Sequence, residues 1–403
     1  MLAEIVGHEA PLKVLRRAVA TGRVHHAYLF VGPPNVGKTL TALQFAKVLN
    51  CERHTAFADE TEVECCDECS NCHGIEVGNH PDFRLIQPVA RIGDSRKSES
   101  DEAQDSDQVG SLELDDAMIY LWQVAQIVGG DAPGPDGREQ SYTGHVNMRL
   151  ASGRQRAYVF ANADQLNPDN NGANRLLKTL EEPPPHTVFV LTATSPAKLL
   201  PTIVSRCQVI NFRPVPVVEC EGFLARRFPQ ADAAQVRTVA GLSGGRIGWA
   251  CRLLQHPEVL KLREVAVGWC LQLKTMEQVE CLRLGEQIVE LVEEWWLATG
   301  ADKDTAEKAL KQARDRVLRT VFPDVLDVLS TWFRDLVLVG AAPEAPQVIN
   351  QDHLPDLRHQ APLYSPAACR KVVLHIEELK RQLRQNANVR LAAEVLALRM
   401  LTA

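Results

Sequence analysis

The pattern of hydrophobic and polar positions in the first 50 residues predicts a helix, a strand and a second helix, in that order. Apolar residues recur at steps of three and four between residues 10 and 19, which predicts a helical face. A short β-favouring run at 26–31 ends at Gly32, and residues 40–49 return to a helical pattern. Because a strand, a glycine loop and a helix in this order open a βαβ unit, the pattern predicts a parallel sheet.

The alternation resumes at residue 156. Runs at 157–161 and 187–192 consist largely of apolar or β-branched residues, as strands buried on both faces of a parallel sheet do. The helical segment between them, 172–182, stops at three consecutive prolines. These residues are therefore predicted to complete the α/β domain that begins at the N-terminus.

No strand pattern is found beyond Pro214-Val215-Pro216, which marks a domain boundary. Two stripes of apolar residues at helical spacing follow, and both are expected to pack inside an all-α region. The first stripe is Val325, Val328, Leu329, Trp332, Phe333 and Leu336, and the second is Leu391, Val395 and Leu398.

A polar stretch at 94–116 interrupts the α/β pattern. It holds nine acidic and two basic residues, a net charge of -7 that equals the formal charge of the whole chain. Because it has few apolar residues, we expect a solvated or disordered insertion, with an acidic partner-binding segment as the alternative. The Gly/Pro-rich residues 129–137 are predicted to be equally unstructured.

The composition limits the class of protein. The chain has 403 residues, of which 45% are hydrophobic and 24% charged, as in an ordinary globular protein of two to four domains. Acidic residues outnumber basic ones, which argues against a protein that coats nucleic acid. We find no run of 18 apolar residues and no signal-peptide pattern, so we expect a cytoplasmic protein without a membrane partner.

A phosphate-binding motif lies between the first predicted strand and the helix after it. Its residues, G-x-x-x-x-G-K-T, are Gly32, Pro33, Pro34, Asn35, Val36, Gly37, Lys38 and Thr39. Such a loop points backbone N–H groups at phosphate oxygens, and the helix N-terminus adds positive potential. Lys38 is expected to neutralise the β- and γ-phosphates, and Thr39 to bind Mg²⁺ when nucleotide is present.

The acids that such a site needs for hydrolysis are missing from the sequence. A Mg²⁺-binding acid and a second acid that activates water are expected at the end of a later strand. Ala161 and Asn162 occupy that position, and neither side chain can do this work. Asp164 follows, where we expect it to cap the next element, although it could also replace a missing acid. We therefore expect ATP to be bound with absent or very weak hydrolysis.

Five of the eleven cysteines fall within residues 51–72. Four of them have spacings that suit a closed, structural Zn²⁺ site: Cys51, Cys66, Cys69 and Cys72. Cys65 is a rival to Cys66, but Cys66 keeps the two-residue spacing to Cys69, and His73 could also compete as a ligand. An iron–sulfur cluster would require a further cysteine soon after residue 72, and none follows.

Several segments together resemble the clamp-loader subunits of bacterial DNA polymerase III. The resemblance covers residues 1–90 and 154–403, whereas 91–153 depart from the family's pattern. The matching segments are 26–30 (His-Ala-Tyr-Leu-Phe), the cysteine cluster, 80–83 (His-Pro-Asp-Phe), 174–183, 205–207 (Ser-Arg-Cys), 332–336 and 388–392. Their joint occurrence is much more specific than any one of them.

This resemblance implies an AAA+ fold in three parts. A P-loop α/β domain at 1–212 would carry the zinc module (51–72) and the acidic insertion (about 91–150). A helical lid at 213–256 and a helical collar at 257–403 would follow. The implied partners are gamma or tau motor subunits and a delta subunit through the collar. The sliding β-clamp and primer-template DNA would be met through the assembly, with minor contacts to the DNA backbone.

Within this family, the sequence resembles a stator subunit more than the gamma or tau motor. Ala161-Asn162 replace the acid pair, Gly248 aligns with the motor's lid arginine (Arg246 lies close by), and tau's long polar C-terminal extension is missing. The resemblance places Arg206 against the ATP of the neighbouring subunit, as an arginine finger. A hydrolysing motor subunit and a stand-alone remodeller outside replication stay open as alternatives.

Overall fold

The computed structural model of the chain describes most of its residues. The described ranges are 2–53, 63–89, 118–135, 138–151, 153–166, 172–255, 257–274, 303–342, 348–383 and 387–401, together with residues 283, 287 and 290. The predicted acidic stretch 94–116 lies outside them.

Two compact units make up the described part of the chain. The first holds the described residues up to 223 together with 244–249, and the second holds 224–243 and the described residues from 250 onward. The predicted three-part division at residues 212 and 256 stays a prediction.

A parallel sheet is the centre of the first unit. The strands of the described residues are β1 (Ala27–Val31), β2 (Phe83–Ile86), β3 (Gly130–Pro133), β4 (Glu139–Tyr142), β5 (Arg156–Phe160), β6 (Thr187–Ala193) and β7 (Gln208–Asn211). Five of them form one sheet in the order β2-β5-β6-β1-β7, and every pair in it is parallel. The predicted α/β class and parallel sheet are thus confirmed.

Helices cover both faces of this sheet. They are α1 (Glu9–Ala20), α2 (Lys38–Asn50), α3 (Ser70–Glu76), α4 (Leu121–Val128), α5 (Gly172–Glu181) and α6 (Pro201–Val204). Three further helices come next in the chain, α7 (Val217–Arg227), α8 (Ala233–Leu242) and α9 (Ile247–Gln255), and α8 belongs to the second unit. Alternate strand residues enter two apolar cores, Tyr28 and Phe30 on one face and Leu29 and Val31 on the other. Burial on both faces explains why β1, β5 and β6 are continuous apolar runs.

The prediction that residues 129–137 are unstructured is wrong. Residues 130–133 form β3, which pairs antiparallel with β4 at 139–142. Gly129 and Gly130 adopt positive φ angles of 89° and 103°, which a residue with a side chain rarely does. These two glycines therefore allow the chain to turn from α4 into the first strand of the hairpin. The side chain of Arg175 on α5 also donates to the carbonyl of Asp131.

The second unit is helical wherever it is described. After α8 it contains α10 (Pro257–Gln272), α11 (Lys303–Ala341), α12 (Leu354–Gln360), α13 (Pro366–Leu383) and α14 (Val389–Leu401). The apolar stripe at 325–336 lies buried at its centre, as predicted, where α11 packs against α10 and α13.

The second predicted stripe is not the buried face of α14. Leu391 and Val395 are 60% and 38% exposed, and Leu398 is only partly buried. The buried face instead includes Val389, Ala392, Ala393, Leu396, Ala397 and Met400. Because α14 is apolar on more than one side, periodicity alone could not select the face that packs.

Candidate nucleotide site and metal centre

The P-loop connects β1 to α2, as its sequence predicts, and Lys38 is the first residue of α2. The Nζ of Lys38 donates to the carbonyl oxygens of Gly32 and Pro33, at 2.8 Å and 2.6 Å. Its ammonium group therefore lies inside the turn of the loop, and Thr39 follows in the first turn of α2.

Two glycines of the loop are required by its geometry. Gly37 has a φ of 107°, and a Cβ on Gly32 would come within 2.4 Å of the carbonyl oxygen of Phe212. Only glycine tolerates such a backbone angle or approach at low cost. The two glycines therefore allow a tight backbone turn directly before the N-terminus of α2, the part of a helix that favours anions.

Two further residues hold the loop from outside its motif. The Nε2 of His8 lies 2.6 Å from the carbonyl oxygen of Val36, and the His8 ring meets Phe212 edge-on. The backbone N–H of Gly248, near the start of α9, donates to the carbonyl oxygen of Asn35 at 2.8 Å. A Cβ on Gly248 would lie 3.1 Å from that oxygen, so this position tightly contacts the loop.

The end of β5 lies where a hydrolytic P-loop protein places its acids. Ala161 is buried, and Asn162 has a left-handed φ of 52° with its backbone N–H donating to Thr192 Oγ1 at 3.0 Å. Thr192 belongs to β6, which lies between β5 and the P-loop strand β1. The described residues at this strand end therefore present an alanine and an amide instead of two carboxylates.

Asp164 makes its contacts elsewhere. Its Oδ2 accepts hydrogen bonds from the Thr194 hydroxyl at 2.6 Å, from the Thr194 backbone N–H at 3.3 Å and from Lys198 Nζ at 3.3 Å. Asp164 thus joins the turn after β5 to the turn after β6, and the expectation that it caps the next element is wrong. These contacts also argue against its use as a replacement acid.

Arg206 lies between α6 and β7, in the Ser-Arg-Cys segment. Its Nη2 donates to Glu181 Oε1 at 2.6 Å, and its Nη1 donates to the carbonyl of Thr202 at 2.9 Å. Its side chain is 32% exposed, and the Cys207 thiol after it is more enclosed, so burial raises the pKa of Cys207 to about 12. The Arg206 side chain is thus partly accessible to solvent, and hydrogen bonds hold both Nη atoms of its guanidinium.

Four cysteines of the cluster come together, as their spacing predicts. The sulfurs of Cys51, Cys66, Cys69 and Cys72 all lie within 4.8 Å of one another. Four Zn–S bonds of about 2.3 Å in a tetrahedron would require sulfurs about 3.8 Å apart, so the residues fit a four-coordinate metal. Two helix ends bring these cysteines together. Cys51 is the residue directly after α2, and Cys69 caps the N-terminus of α3, where its sulfur accepts a hydrogen bond from the Cys72 N–H.

Backbone N–H groups also point at the sulfurs. The N–H groups of Cys66, Cys69 and Cys72 lie 3.4, 3.3 and 3.4 Å from the sulfurs of Cys51, Cys66 and Cys69. Burial acts to raise the pKa of Cys66, but hydrogen bonds from the backbone of Glu68 and Cys69 and from neighbouring thiols lower it to about 7. This environment favours the thiolate of Cys66, the form that binds metal. Burial raises the pKa values of Cys51 and Cys72, so these two thiols would lose their protons only on binding a metal ion.

The rival ligands are placed differently. Cys65 is buried but donates towards Asp67 Oδ1 at 3.1 Å, and burial together with Asp67 raises the pKa of its thiol to about 12. Its sulfur groups with Asp67 and Cys72 and lies outside the four-cysteine set. His73 is exposed on α3 and is not in that set either. The geometry therefore favours Cys66 over Cys65, in agreement with the two-residue spacing between Cys66 and Cys69.

Buried polar side chains connect the cysteine module to the sheet. Asn71, between two of the cysteines, donates to the carbonyl of Asn50 at 2.9 Å and contacts His80 Nε2 at 3.1 Å. Asp82 then accepts from the N–H groups of Ala151 and Gly153, just before β5. The His-Pro-Asp-Phe segment at 80–83 thus joins the cysteine module to β5.

Sequence reasoning missed four residues around these sites, namely His8, Thr192, Thr194 and Glu181. Each is polar and lies outside the P-loop and the cysteine cluster, and each acts through a partner at least 25 residues away in the chain. The polar ending of an otherwise apolar β6 was a usable signal for the two threonines. Glu181 lies in the family-like segment 174–183, but nothing in that segment indicates its contact with Arg206. The sequence carries no comparable signal for His8.

The fold and the P-loop define an AAA+ protein whose C-terminal region is helical wherever the structure describes it. The sequence profile of the family described as "DNA polymerase III, delta subunit" matches residues 7–125 and 140–216. The predicted departure from the family at 91–153 was therefore too wide, since only 126–139, which includes β3 and the start of β4, interrupts the match.

Curated relatives agree with this profile. The delta' subunit of DNA polymerase III from Bacillus subtilis is 26% identical over 387 residues, which cover 96% of this chain and 94% of the relative. The delta' subunit from Pseudomonas aeruginosa is 31% identical over 55% of this chain and 53% of its own length. The tau subunit from Escherichia coli is 33% identical over 53% of this chain, but only 26% of tau is covered.

This chain belongs to the delta' family of DNA polymerase III clamp-loader subunits. The match to the Bacillus subtilis delta' subunit extends over nearly the full length of both chains, whereas the quoted match to tau is confined to about half of this chain. The resemblance seen in the sequence is thus confirmed, and the stand-alone remodeller is set aside. None of the helices in the described part of the chain has the length and apolarity of a membrane span.

Proposed function

We propose that this chain is a stator that helps its loader place the sliding β-clamp on primed DNA without hydrolysing ATP itself. The observation that supports this is the pairing of a complete P-loop with Ala161 and Asn162 at the end of β5. Asp164 does not compensate, because Thr194 and Lys198 engage its carboxylate. A triphosphate could be bound here, with Mg²⁺ only as its counterion, but no carboxylate in the described strand end would activate water.

In the same proposal, Arg206 acts on the ATP of a neighbouring motor subunit. Its guanidinium is accessible, and it lies next to the edge strand β7. A positive group that reaches the γ-phosphate from another subunit stabilises the charge of the transition state. The neighbouring gamma or tau subunit would supply the acids that this chain lacks.

We also propose that Cys51, Cys66, Cys69 and Cys72 hold one structural Zn²⁺. The support is an all-sulfur set with mutually close ligand atoms and N–H groups directed at the sulfurs. When bound, zinc would supply folding stability by cross-linking the end of α2 to α3, and the closed set leaves no position for substrate. The contacts of Asn71 with Asn50 and His80 would connect this cross-linked module to the sheet.

The helical region at 257–403 is the proposed collar. Its buried apolar core around Trp332 and Phe333 packs its helices against one another, as an assembly platform requires. Through it the chain would join motor and delta subunits, while the β-clamp and primer-template DNA would be met by the assembly. In this scheme 1–212 is the P-loop domain, and 213–256 is the lid.

Two measurements test the proposal. The purified chain should show no steady-state ATPase above that of Lys38→Ala, and adding it to motor and delta subunits should restore clamp loading on primed DNA. Turnover by the isolated chain that Lys38→Ala abolishes would favour a gamma- or tau-type motor instead. A reconstituted loader that works equally well without this chain would remove the stator role.

A further inference from the structure

The guanidinium of Arg206 is braced within its own chain. Glu181, the last residue of α5, accepts from Nη2 at 2.6 Å, and the Thr202 carbonyl accepts from Nη1 at 2.9 Å. Ser205 Oγ lies 3.4 Å from the same Nη1. Because a guanidinium has five N–H donors, these contacts leave the Nε hydrogen and one hydrogen of Nη2 for another acceptor.

Stability does not explain the Glu181 contact. Glu181 is 49% exposed and Arg206 32% exposed, and an ion pair so open to water adds little to folding. A flexible arginine side chain, however, must lose rotamer freedom before it can act on a distant phosphate. A contact that fixes the guanidinium before ATP is hydrolysed removes this entropic cost from the reaction step.

Glu181 is well suited to this task. It stands at the C-terminal end of α5, where the helix dipole is negative and attracts a cation. The Thr202 carbonyl comes from α6, so two different helices fix the direction of one guanidinium. We propose that Glu181 is a positioning residue that orients Arg206 for ATP hydrolysis in the adjacent subunit, an inference that rests on the trans role proposed above.

The proposal makes a directional claim. If Glu181 orients the guanidinium, its removal slows the chemical step and leaves ATP binding by the neighbour unchanged. If the carboxylate instead competes with the γ-phosphate for the same N–H groups, its removal accelerates turnover. Glu181→Gln separates charge from geometry, because a glutamine side-chain oxygen can still accept from Nη2.

The experiment uses a reconstituted loader in which only the ATPase site that faces Arg206 can turn over. Glu181→Ala should lower kcat about three- to tenfold with KM for ATP unchanged. Glu181→Gln should retain most of the rate, and Glu182→Ala, which removes the neighbouring carboxylate, should match the wild type. In an Arg206→Ala background, Glu181→Ala should cause no further loss. Gel filtration confirms that every variant assembles.

Each contrary result has a distinct meaning. An unchanged or faster rate in Glu181→Ala would overturn the positioning role while Arg206→Ala still slows the loader. A loss that persists in the Arg206→Ala background would show that Glu181 acts on structure instead. An unchanged rate in Arg206→Ala alone would remove the trans role and the inference with it.

Discussion

The Oδ2 atom of Asp335 lies 2.8 Å from the backbone nitrogen of Asn350 and accepts its hydrogen bond. The same oxygen accepts from the Ile349 N–H at 3.0 Å and from Asn350 Nδ2 at 2.9 Å, and Asp335 is fully buried. One side chain of α11 thus satisfies three donors of the segment that leads to α12. Burial raises the pKa of Asp335 even though these hydrogen bonds and Arg334 oppose the shift.

Asp335→Ala should therefore destabilise the helical region. Removing this acceptor leaves the backbone N–H groups of Ile349 and Asn350 without a partner, and Asn350 Nδ2 keeps only its 3.4 Å contact with Thr331 Oγ1. We expect this loss to lower the free energy of unfolding by about 3 kcal/mol or more. Asp335→Asn keeps an oxygen at this position without the buried charge, and should cost about 1 kcal/mol or less. Urea denaturation followed by far-UV circular dichroism compares the two. Equal stability of both variants would show that the hydrogen bonds contribute little.

Metal analysis should separate Cys69 from Cys65. We expect about one zinc ion per wild-type chain, because four sulfurs form a closed set. Cys69→Ser should lose the metal and lower the melting temperature, whereas Cys65→Ser should retain it, since that thiol faces Asp67. A folded wild-type chain without metal would disprove the site, and metal loss in Cys65→Ser would disprove the ligand assignment.

His8 should matter for nucleotide affinity although it lies outside the P-loop. It is the side chain that contacts the Val36 carbonyl, and it packs on Phe212. His8→Ala should loosen the loop and weaken binding of a fluorescent ATP analogue about five- to tenfold, the equivalent of one lost buried hydrogen bond. His359→Ala removes an exposed histidine and serves as the matched control. Equal dissociation constants for the His8 variant and the control would contradict the bracing role.

The stability of the first unit should depend on pH. Burial lowers the pKa values of four of its histidines, and the effect of burial is the largest in each case: His8, His26, His80 and His145. Protonation therefore favours the unfolded chain, in which these pKa values are about 6.5. Their stabilising contribution is complete above that pH and is lost as the pH falls through it towards the lower folded-state values.

Urea midpoints at pH 7.5 and pH 5.5 test this expectation. The wild type should unfold at a lower urea concentration at the lower pH. His145→Gln should show a smaller difference, because one of the titrating groups is gone. A midpoint that does not change between the two pH values would contradict the assignment of these histidines as neutral in the folded chain.

What the sequence determined by itself is local. The P-loop is eight consecutive residues whose spacing sets its backbone, so its place between β1 and α2 could be predicted. The buried strands are continuous apolar runs, and the stripe at 325–336 reports one helix face. The replacement of two acids by Ala161 and Asn162 is likewise visible without coordinates. In each case the residues that determine the local structure lie within the same short segment that forms it.

Tertiary structure decided which distant groups meet. Periodicity left α14 with more than one apolar side, and only its packing showed that Leu391 is exposed. Spacing favoured Cys66 but kept Cys65 as a rival ligand, and only the fold showed that the Cys65 sulfur faces Asp67. The contact of Glu181 with Arg206 spans 25 residues and joins the end of α5 to the loop before β7. Such pairings depend on distances in space, and one-dimensional spacing does not encode them.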